Sequence, residues 1–432
     1  MIDRIGIRKG DRHPMMNLRI QPDRLERQIH ELGKIGQNAR GGLDRTTFTP
    51  AELKARSWLI GELQALGLEV KLDPAANIWA NRQGSDPDLP IIAFGSHIDT
   101  VPNGGKYDGA LGVLMALEVM RVLEEEGIKT RHPLALVSFS AEEPNPFGLS
   151  TFGSRAAAGK LKRADLDGVY DDKGISIVEA LHHAGGDAEL FEKTRREPSE
   201  FSAFLEVHIE QGKRLLAQNI PIGIVTAITG IYREEVIVHG QANHAGTTLM
   251  NDRKDALMLA SELMLAFEAV CRNHPADEVV GTIGRIANYP NAANIIPEKV
   301  TFNLEARGKS SGEIQQVISH WDGLAEDIVR RRGGKMERRI VLDQAPAKMD
   351  QTIIEVCKEQ SDALAYENLY LGSMAGHDAV HMSSLTRAGM LFVPSVDGKS
   401  HCPEEESLMG DIEKAANVML HAILALDKRL EE

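Results

Sequence analysis

The chain has 432 residues, more than one hydrophobic core usually supports, so we expect two domains. Hydrophobic residues make up 42% and charged residues 26% of the sequence, a balance typical of globular rather than disordered proteins. Lys and Arg total 49 against 63 Asp and Glu, and the formal net charge of -14 would repel nucleic acid. We therefore expect no nucleic-acid partner.

Other features of the whole chain predict a cytoplasmic protein. The sequence has no apolar run that approaches the ~20 residues of a membrane span, and its N-terminal segment lacks the apolar core of a secretory signal. The three cysteines, Cys271, Cys357 and Cys402, are odd in number and scattered, which argues against a disulfide framework and against a cysteine-built zinc site. We expect no membrane partner.

Helices and short strands are predicted at the start of the chain. Apolar residues recur at helical spacing at Leu25, Ile29, Leu32 and Ile35. A second helix is predicted after Thr49 as its cap, with Pro50 at its first position and Gly67 as its stop. Short strands follow in 68–73 and 77–83.

The most informative pattern occurs four times. A short apolar run rich in β-formers ends each time in histidine or carboxylate side chains. The four segments are PIIAFGSHID (90–99), LALVSFSAEE (134–143), FLEVHIEQG (204–212) and MLFVPSVDGKSHCPEE (390–405). Such runs, separated by helical segments, predict an α/β fold with a mixed, mostly parallel sheet between helices. Reactive groups in such sheets gather beyond the carboxyl ends of the strands, so the four segments predict one shared site.

Between the third and fourth segments the pattern changes to half-exposed strands and amphipathic helices. The predicted strands lie in 223–240 and 298–308, and the predicted helices in 252–274 and 310–334. We interpret residues 222–334 as an inserted α+β domain with the order β, α, β, β, α. It would divide the first domain into residues 1–221 and 335–432.

Convergence of the strand ends would bring together imidazoles and carboxylates. The set is His97, Asp99, Asp108, Glu142, Glu143, His208, Glu210 and His401. These side chains suit Zn²⁺, Mn²⁺ or Co²⁺. A carboxylate shared between two ions ~3.5 to 4 Å apart would allow one water to be bound by both ions and used as a nucleophile in hydrolysis.

Spacing separates some of the roles. Two positions apart on a continuing strand, His97 and Asp99 point to the same side, so Asp99 is better placed to accept a hydrogen bond from the His97 ring than to bind metal. Adjacent Glu142 and Glu143 must diverge, which favours one as a ligand and the other as a general base. The pair alone leaves open which is which.

Two features are interpreted without a function. The glutamate runs at 124–126 and 404–406 are predicted to lie on solvated faces. A phosphate-binding loop at Gly104, Gly105 and Lys106 is disfavoured, because Tyr107 follows where such loops carry Ser or Thr.

Seven motifs in order carry a resemblance to a known family. They are GSHIDTVPNGGKYDG (from residue 95), AEEPNPFGLSTFGSRA (141), LEVHIEQG (205), NHAGTT (243), NAANIIPEKVTFNLEAR (291), AGHDA (375) and GKSHCPEE (398). Together they resemble the amidase (hydantoinase/carbamoylase) subgroup of the M20 metallohydrolase family. This subgroup contains N-carbamoyl-L-amino acid hydrolases, allantoate amidohydrolases and β-ureidopropionases.

The resemblance implies two divalent metal ions per subunit, Zn, Mn or Co, bridged by Asp108. The remaining ligands would be His97 and His208 for one ion, and Glu143 and His401 for the other. Glu142 would be the general base that activates the bridging water, with Asp99 behind His97.

Substrate-binding residues also follow from the resemblance: Gln211, His244, Asn294, Arg307 and His377. The planar guanidinium of Arg307 would bind a substrate carboxylate, and His244 and Asn294 would stabilise the oxygen of the scissile carbonyl. The inserted domain would be a lid and dimerisation domain, and the protein a homodimer in which each lid supplies part of the partner's site.

The predicted activity is metal-dependent hydrolysis of a linear amide or ureido C–N bond in a small carboxylate-bearing substrate. The leading candidate is an N-carbamoyl-L-amino acid, which would give an amino acid, CO₂ and NH₃. Allantoate is the alternative, followed by β-ureido acids and small peptides. Met374, where the subgroup usually has Gly, and the unusual PNPFG segment at 144–148 leave the substrate open. A homologue that only binds a small acid is disfavoured, because it would have no reason to keep Glu142.

Overall fold

The computed structural model describes residues 17–276 and 278–430. They form two compact units. The first unit contains the described residues of Met1–Thr226, Met349–Leu371 and His377–Glu432, and the second contains those of Ala227–Lys348 and Gly372–Gly376. None of the helices in the described ranges has the length and apolar character that a bilayer crossing requires.

Helices and strands alternate along most of the chain. The helices are α1 (Pro22–Leu32), α2 (Pro50–Ala65), α3 (Ala110–Glu125), α4 (Phe152–Ala157), α5 (Ile177–His183), α6 (Arg214–Gln218), α7 (Ala256–Arg272), α8 (Ser311–Arg332), α9 (Gln351–Ala363), α10 (Ala379–Met382) and α11 (Met409–Arg429). The strands are β1 (Glu69–Leu72), β2 (Ile78–Arg82), β3 (Ile91–His97), β4 (Leu134–Phe139), β5 (Phe201–Ile209), β6 (Ile222–Ile228), β7 (Gly230–His239), β8 (Val280–Tyr289), β9 (Lys299–Gly308), β10 (Lys335–Gln344), β11 (Ala347–Lys348), β12 (Asn368–Ser373) and β13 (Arg387–Val393).

The sheet of the first unit has the order β1-β2-β4-β3-β5-β13-β6, with β12 also paired to β6. Its four central strands, β4, β3, β5 and β13, run parallel to one another, and the flanking pairs are antiparallel. The predicted α/β fold with a mixed sheet is confirmed. The four parallel strands correspond to the four apolar segments, so their carboxyl ends lie along one edge of the sheet.

Burial explains the composition of these strands. Every residue of β4 and β5 is buried, as are nearly all residues of β3 and β13. Helix α3 packs against β3, β4 and β5, and α9, α10 and α11 pack against β13. A strand that is covered on both faces carries apolar side chains on both, which accounts for the uninterrupted apolar runs.

The N-terminal helices follow their capping signals. The Thr49 hydroxyl accepts a hydrogen bond from the Glu52 amide, and Pro50 is the first residue of α2, as predicted. Gly67 follows the end of this helix with a φ of 76°, which a glycine adopts without strain. Helix α1 ends at Leu32, so Ile35 lies beyond it.

The second unit is an antiparallel sheet of order β10-β7-β9-β8, against which α7 and α8 pack. Trp321 of α8 is fully buried and donates a hydrogen bond from its indole nitrogen to the Leu263 carbonyl of α7 at 2.9 Å. Its ring meets Phe267 edge to face, with ring centroids 6.1 Å apart. These contacts join the two helices over an apolar core.

The second unit differs from the interpretation of residues 222–334 at both ends. Residues 335–344 form β10, which pairs with β7 along its whole length, so the unit continues beyond residue 334 and its order is β, α, β, β, α, β. Most side chains of β10 are exposed, which removed the alternation that would have marked it as a strand. Residues 222–226 belong to the first unit, because β6 pairs with β13.

Gly95 provides a test of the parallel sheet. A Cβ atom at this position would lie 1.8 Å from the Val137 carbonyl oxygen of β4, and no side-chain rotation relieves a clash with backbone. We expect Gly95→Ala to destabilise the protein by roughly 3 kcal/mol. Gly61, on the exposed face of α2, is the control, because Gly61→Ala should stabilise by about 0.5–1 kcal/mol. Urea unfolding of both variants measures their free energies of unfolding. Equal changes in the two variants would contradict the strand pairing.

Candidate metal centre

Close packing of a glycine against an imidazole brings Asp108 beside His97. Strand β3 ends at His97, and the chain returns through a loop to begin α3 at Ala110. Gly109 has a φ of 62°, and a Cβ there would lie 2.2 Å from the His97 ring. Only glycine permits this approach.

The first group that could hold a metal ion consists of His97, Asp108 and His208, all buried. Asp108 Oδ1 lies 3.6 Å from Nε2 of His97 and 3.2 Å from Nε2 of His208. The Nδ1 atoms of the two rings lie 3.1 Å from the Asp99 carbonyl and 3.0 Å from the Ile209 carbonyl. Because a carbonyl accepts, Nδ1 carries the proton in each neutral ring, and Nε2 keeps its lone pair; Nε2 of His208 also accepts a hydrogen bond from the Gly109 amide at 3.2 Å.

The second group consists of Asp108, Glu143 and His401. Nε2 of His401 lies 3.4 Å from Asp108 Oδ2 and 3.3 Å from Glu143 Oε1. Glu143 Oε1 is buried, and no group in the described part of the chain meets hydrogen-bond geometry with it. A buried carboxylate oxygen in this position is suited to a cation.

Asp108 is common to both groups, with one carboxylate oxygen facing each. Its Oδ2 also accepts hydrogen bonds from Gln211 Nε2 and Ser400 Oγ, both at 2.7 Å. The three imidazoles and two carboxylates of the combined set suit a hard or borderline divalent cation such as Zn²⁺, Mn²⁺ or Co²⁺.

Asp99 joins the ends of two neighbouring strands. Its Oδ1 lies 3.5 Å from Nδ1 of His97, and its backbone carbonyl, at 3.1 Å, is the group hydrogen-bonded to that nitrogen. The two carboxylate oxygens accept hydrogen bonds from the backbone amides of Glu142 and Glu143, each at 3.2 Å, and Oδ2 also accepts one from the Thr47 hydroxyl. Asp99 therefore orients the loop that follows β4 as well as the His97 ring.

Glu142 lies beside the first group without belonging to either. Its Oε2 is 3.6 Å from Nε2 of His97. The preceding residue, Ala141, has a φ of 51°, and the Glu142 carbonyl accepts a hydrogen bond from the Thr151 amide at 2.7 Å. This turn directs the two adjacent glutamates differently. Burial raises the pKa of Glu142 well above its usual value; His97 opposes the shift and Asp378 adds to it.

The site has an excess of negative charge. The carboxylates of Asp108 and Glu143, which lie 3.4 and 3.3 Å from its Nε2, raise the pKa of His401 to about 11. Burial lowers the pKa of His97, but Glu142 and Asp99 outweigh it and raise that pKa well above its usual value. Metal ligation needs neutral imidazole, and a divalent cation would supply the positive charge that these carboxylates favour. The residues present therefore fit such an ion.

Glu210 does not join the site. Its Oε1 accepts hydrogen bonds from the Arg214 amide at 2.9 Å and from Arg214 Nε at 3.0 Å, and its Oε2 accepts one from the Leu215 amide at 3.0 Å. It caps the start of α6, so its inclusion in the candidate set was wrong. Capping and ligation both use carboxylates, and the sequence alone did not distinguish them.

The glutamate run at 404–406 was only partly predicted. Glu404 and Glu406 are exposed, as expected, but Glu405 is buried. Its Oε1 accepts hydrogen bonds from the backbone amides of Tyr107 at 2.8 Å and Asp108 at 3.0 Å. Prediction of a solvated face was therefore wrong for Glu405, because tertiary contact with a distant loop fixes its burial. The run at 124–126 is exposed.

Two of the predicted substrate-binding residues lie in the first unit. The Gln211 side chain donates to Asp108, as described above. His377 is 2% exposed, and its ring centroid lies 4.5 Å from that of His208. This packing supports the orientation of His208, and substrate contact by either residue stays a prediction.

The other three, His244, Asn294 and Arg307, lie in the second unit. His244 is exposed, and its Nδ1 accepts a hydrogen bond from the Gly246 amide at 3.0 Å, which leaves the proton of the neutral ring on Nε2. The Ala245 amide donates to the Asn294 carbonyl at 3.1 Å, so His244 and Asn294 lie on adjacent loops.

Arg307 is held by its own unit. Its Nε donates to Glu305 Oε1 at 2.7 Å, and its Nη1 donates to the Met374 carbonyl at 2.8 Å. These contacts fix the plane of the guanidinium group. Binding of a substrate carboxylate by Arg307 stays a prediction.

Arg45 was not predicted from the sequence, and its side chain is fully buried. Its Nε donates to the Ile98 carbonyl at 2.7 Å, and its Nη1 donates to the carbonyls of Leu32 and Ile35. Burial lowers the pKa of Arg45 to about 10, and the charge of Asp99 opposes that shift. Arg45 thus holds the peptide between His97 and Asp99. A lone arginine in a loop gave no signal of burial.

A mostly parallel α/β sheet with histidine and carboxylate groups at its strand ends is typical of metal-using hydrolases. Residues 93–425 match the model of Peptidase family M20/M25/M40. An N-carbamoyl-L-amino acid amidohydrolase from Geobacillus stearothermophilus is 35% identical over 407 residues, which cover 94% of this chain and 99% of that protein.

A ureidoglycolate hydrolase from Arabidopsis thaliana is 35% identical over 410 residues, which cover 93% of this chain and 86% of that protein. The crystal structure of a hydantoinase/carbamoylase family amidase from Burkholderia multivorans is similar with a TM-score of 0.85 at 30% identity, covering 95% of this chain and 98% of that one. The chain belongs to peptidase family M20/M25/M40, as its motifs predicted, and is a hydrolase that acts on amide C–N bonds.

Metal content tests the two donor groups. We expect His97→Gln and Glu143→Gln each to weaken binding of divalent metal by roughly tenfold or more, because each removes one donor of a group. Glu210→Gln is the matched control: it alters a buried carboxylate near His208 that caps α6, so metal binding should remain. Elemental analysis and competition with a chelator measure both. Equal metal loss in all three variants would contradict the assignment.

Proposed function

We propose that this hydrolase cleaves the ureido C–N bond of N-carbamoyl-L-amino acids with two divalent ions, giving an amino acid, CO₂ and NH₃. The observation that carries this function is the carboxylate of Asp108, which faces His97 and His208 with one oxygen and His401 with the other, and which belongs to one donor group with Glu143 and His401. Such a shared carboxylate suits a pair of ions.

The ions, when bound, would polarise the scissile carbonyl and lower the pKa of water. The backbone carbonyls of Asp99 and Ile209 keep the two buried imidazoles in the tautomer that ligation needs. Glu142 takes a proton from the attacking water and returns it to the departing nitrogen as the first C–N bond breaks, and the carbamic acid that remains loses CO₂, which breaks the second C–N bond. Its buried position, beside the first donor group and outside both, suits a carboxyl group that accepts a proton and returns it.

Recognition of the substrate is assigned to the second unit. The proton on Nε2 of His244 and the side-chain amide of Asn294 would donate hydrogen bonds to the oxygen on which negative charge develops. Arg307, with its plane fixed by Glu305 and the Met374 carbonyl, would pair with the substrate carboxylate. The predicted homodimer, in which the second unit is a lid and dimerisation domain, is part of the same proposal.

Other ureido acids are alternative substrates. The relative from Arabidopsis thaliana is named a ureidoglycolate hydrolase, and ureidoglycolate also joins a ureido group to a carboxylate. Allantoate, β-ureido acids and small peptides remain further alternatives from the sequence. Ammonia release from a panel of these compounds, with Mn²⁺, Zn²⁺ and Co²⁺ supplied in turn, distinguishes them, and N-carbamoyl-L-amino acids should give the highest kcat/KM.

Glu142→Gln tests the proton transfer. We expect kcat to fall by about 10² to 10⁴, because the amide cannot accept the proton of water, whereas metal content should stay close to that of the wild type. Chelation of the wild type should also abolish turnover, and added metal should restore it. An active Glu142→Gln variant, or full activity after chelation, would contradict the mechanism.

Arg307→Lys tests carboxylate recognition. We expect KM to rise by roughly tenfold with a smaller change in kcat, because an ammonium group does not reproduce the planar pair of donors. Arg339→Lys, an exposed change on β10 of the same sheet, should leave KM unchanged. Steady-state kinetics with an N-carbamoyl-L-amino acid provide the measurement, and an unchanged KM for Arg307→Lys would show that the carboxylate binds elsewhere.

A further inference from the structure

Glu405 contacts the backbone of two loops that carry candidate ligands. Its Oε1 accepts hydrogen bonds from the amides of Tyr107 and Asp108, in the loop between β3 and α3. Its Oε2 accepts a weaker one from the His401 amide at 3.4 Å and lies 3.3 Å from the Ser400 hydroxyl, in the loop that follows β13. Glu405 is 4 residues from His401 in the sequence and 297 residues from Asp108. One buried carboxylate therefore joins two distant segments of the chain.

The hydroxyl of Ser400 extends this connection. It also lies 2.7 Å from Asp108 Oδ2, so the same serine contacts the carboxylate of Asp108 and that of Glu405. The backbone amide and the side chain of Asp108 are thus both tied to the loop of His401. These contacts restrict the distance between the Asp108 carboxylate and the His401 ring.

The loops are shaped to admit the Glu405 side chain. A Cβ at Gly105 would lie 2.2 Å from Glu405 Oε1, so a larger residue there would displace the carboxylate. His401 itself has a φ of 58°, a backbone conformation that is uncommon outside glycine. The amide of this residue is the one held by Glu405 Oε2.

We propose that Glu405 is a positioning residue for the metal centre: it holds Asp108 and His401 at the separation that ligation of the second ion requires. This inference rests on the proposed function, because it concerns the same pair of ions. Glu405 belongs to neither donor group and acts through the backbone of the two ligands. Removal of its carboxylate would release both loops and weaken metal binding without removing a ligand.

The competing explanation is that Glu405 only stabilises the two loops and has no part in metal binding. Both explanations predict a lower melting temperature when Glu405 is replaced. Only a positioning role predicts a change in the affinity for metal and in the geometry of the bound ion. The test therefore uses metal affinity, and the absorption spectrum of the Co²⁺-loaded protein as a report of ligand geometry.

The variants are Glu405→Ala and Glu405→Gln, with Glu406→Gln as the matched control. Glu406 is the next residue after Glu405 in the same glutamate run, and it is exposed. Glu405→Ala removes the hydrogen bonds from the Tyr107, Asp108 and His401 amides and the contact with the Ser400 hydroxyl. Glu405→Gln keeps an oxygen that can accept from the Tyr107 and Asp108 amides, but its amide nitrogen cannot accept from His401.

We expect Glu405→Ala to bind Zn²⁺ 10- to 100-fold more weakly than the wild type in competition with a chelator, with a changed Co²⁺ spectrum. The Zn²⁺ affinity of Glu405→Gln should lie between those of Glu405→Ala and the wild type, and Glu406→Gln should have the wild-type affinity. If Glu405→Ala does not fold, weaker Zn²⁺ binding by Glu405→Gln carries the same conclusion.

Wild-type affinity and an unchanged Co²⁺ spectrum in the folded Glu405 variants would overturn the positioning role, whatever their melting temperatures, and would leave the proposed function intact. Failure of the wild type itself to bind divalent metal would overturn the proposed function, and the positioning role with it. The two failures are therefore distinguishable in one set of measurements.

Discussion

The structure of the site depends on the desolvated carboxylate of Asp108. It lies within 3.2–3.6 Å of three imidazole nitrogens, from His97, His208 and His401. Buried charge is costly unless it is compensated, and burial opposes ionisation of Asp108, yet His208 outweighs it and lowers the pKa of Asp108 well below its usual value. The neighbouring loops are arranged to keep this carboxylate ionised among possible ligands.

Parallel strand order makes that arrangement possible. Strands β4, β3, β5 and β13 are neighbours, so their carboxyl ends deliver side chains from widely separated parts of the chain to one edge. Strand ends alone do not fix ring or carboxylate orientation. Asp99 and Arg45 supply that precision at the end of β3, by holding the His97 ring and the peptide that follows it.

Sequence predicted the features that depend on local pattern. Continuous apolar runs predicted the buried strands, because burial on two faces requires apolar side chains on both. The polar residues that follow these runs predicted the edge of the sheet where the site lies. Strand β10 was not predicted, because its side chains are mostly exposed and show no alternation of apolar and polar residues. Glu405 and Glu210 were misjudged for a different reason: most partners of their carboxylates are backbone amides, which nearly every residue offers and no sequence pattern distinguishes.

The separate roles of Glu142 and Glu143 also could not be assigned from a local sequence pattern. Adjacent positions required the two side chains to diverge, but the sequence left their order open until the resemblance assigned it. In the structure Glu143 faces His401, whereas Glu142 faces His97 from outside both donor groups. A strained turn at Ala141 and the two amide contacts to Asp99 produce this difference.

The most direct test of the shared carboxylate is electron paramagnetic resonance of the Mn²⁺-loaded protein. Two ions bridged by Asp108 would lie about 3.5–4 Å apart, close enough for their spins to couple. We expect a spin-coupled spectrum from the wild type at two Mn²⁺ per chain, and its loss in Asp108→Asn. A spectrum of magnetically isolated Mn²⁺ in the fully loaded wild type would contradict the account.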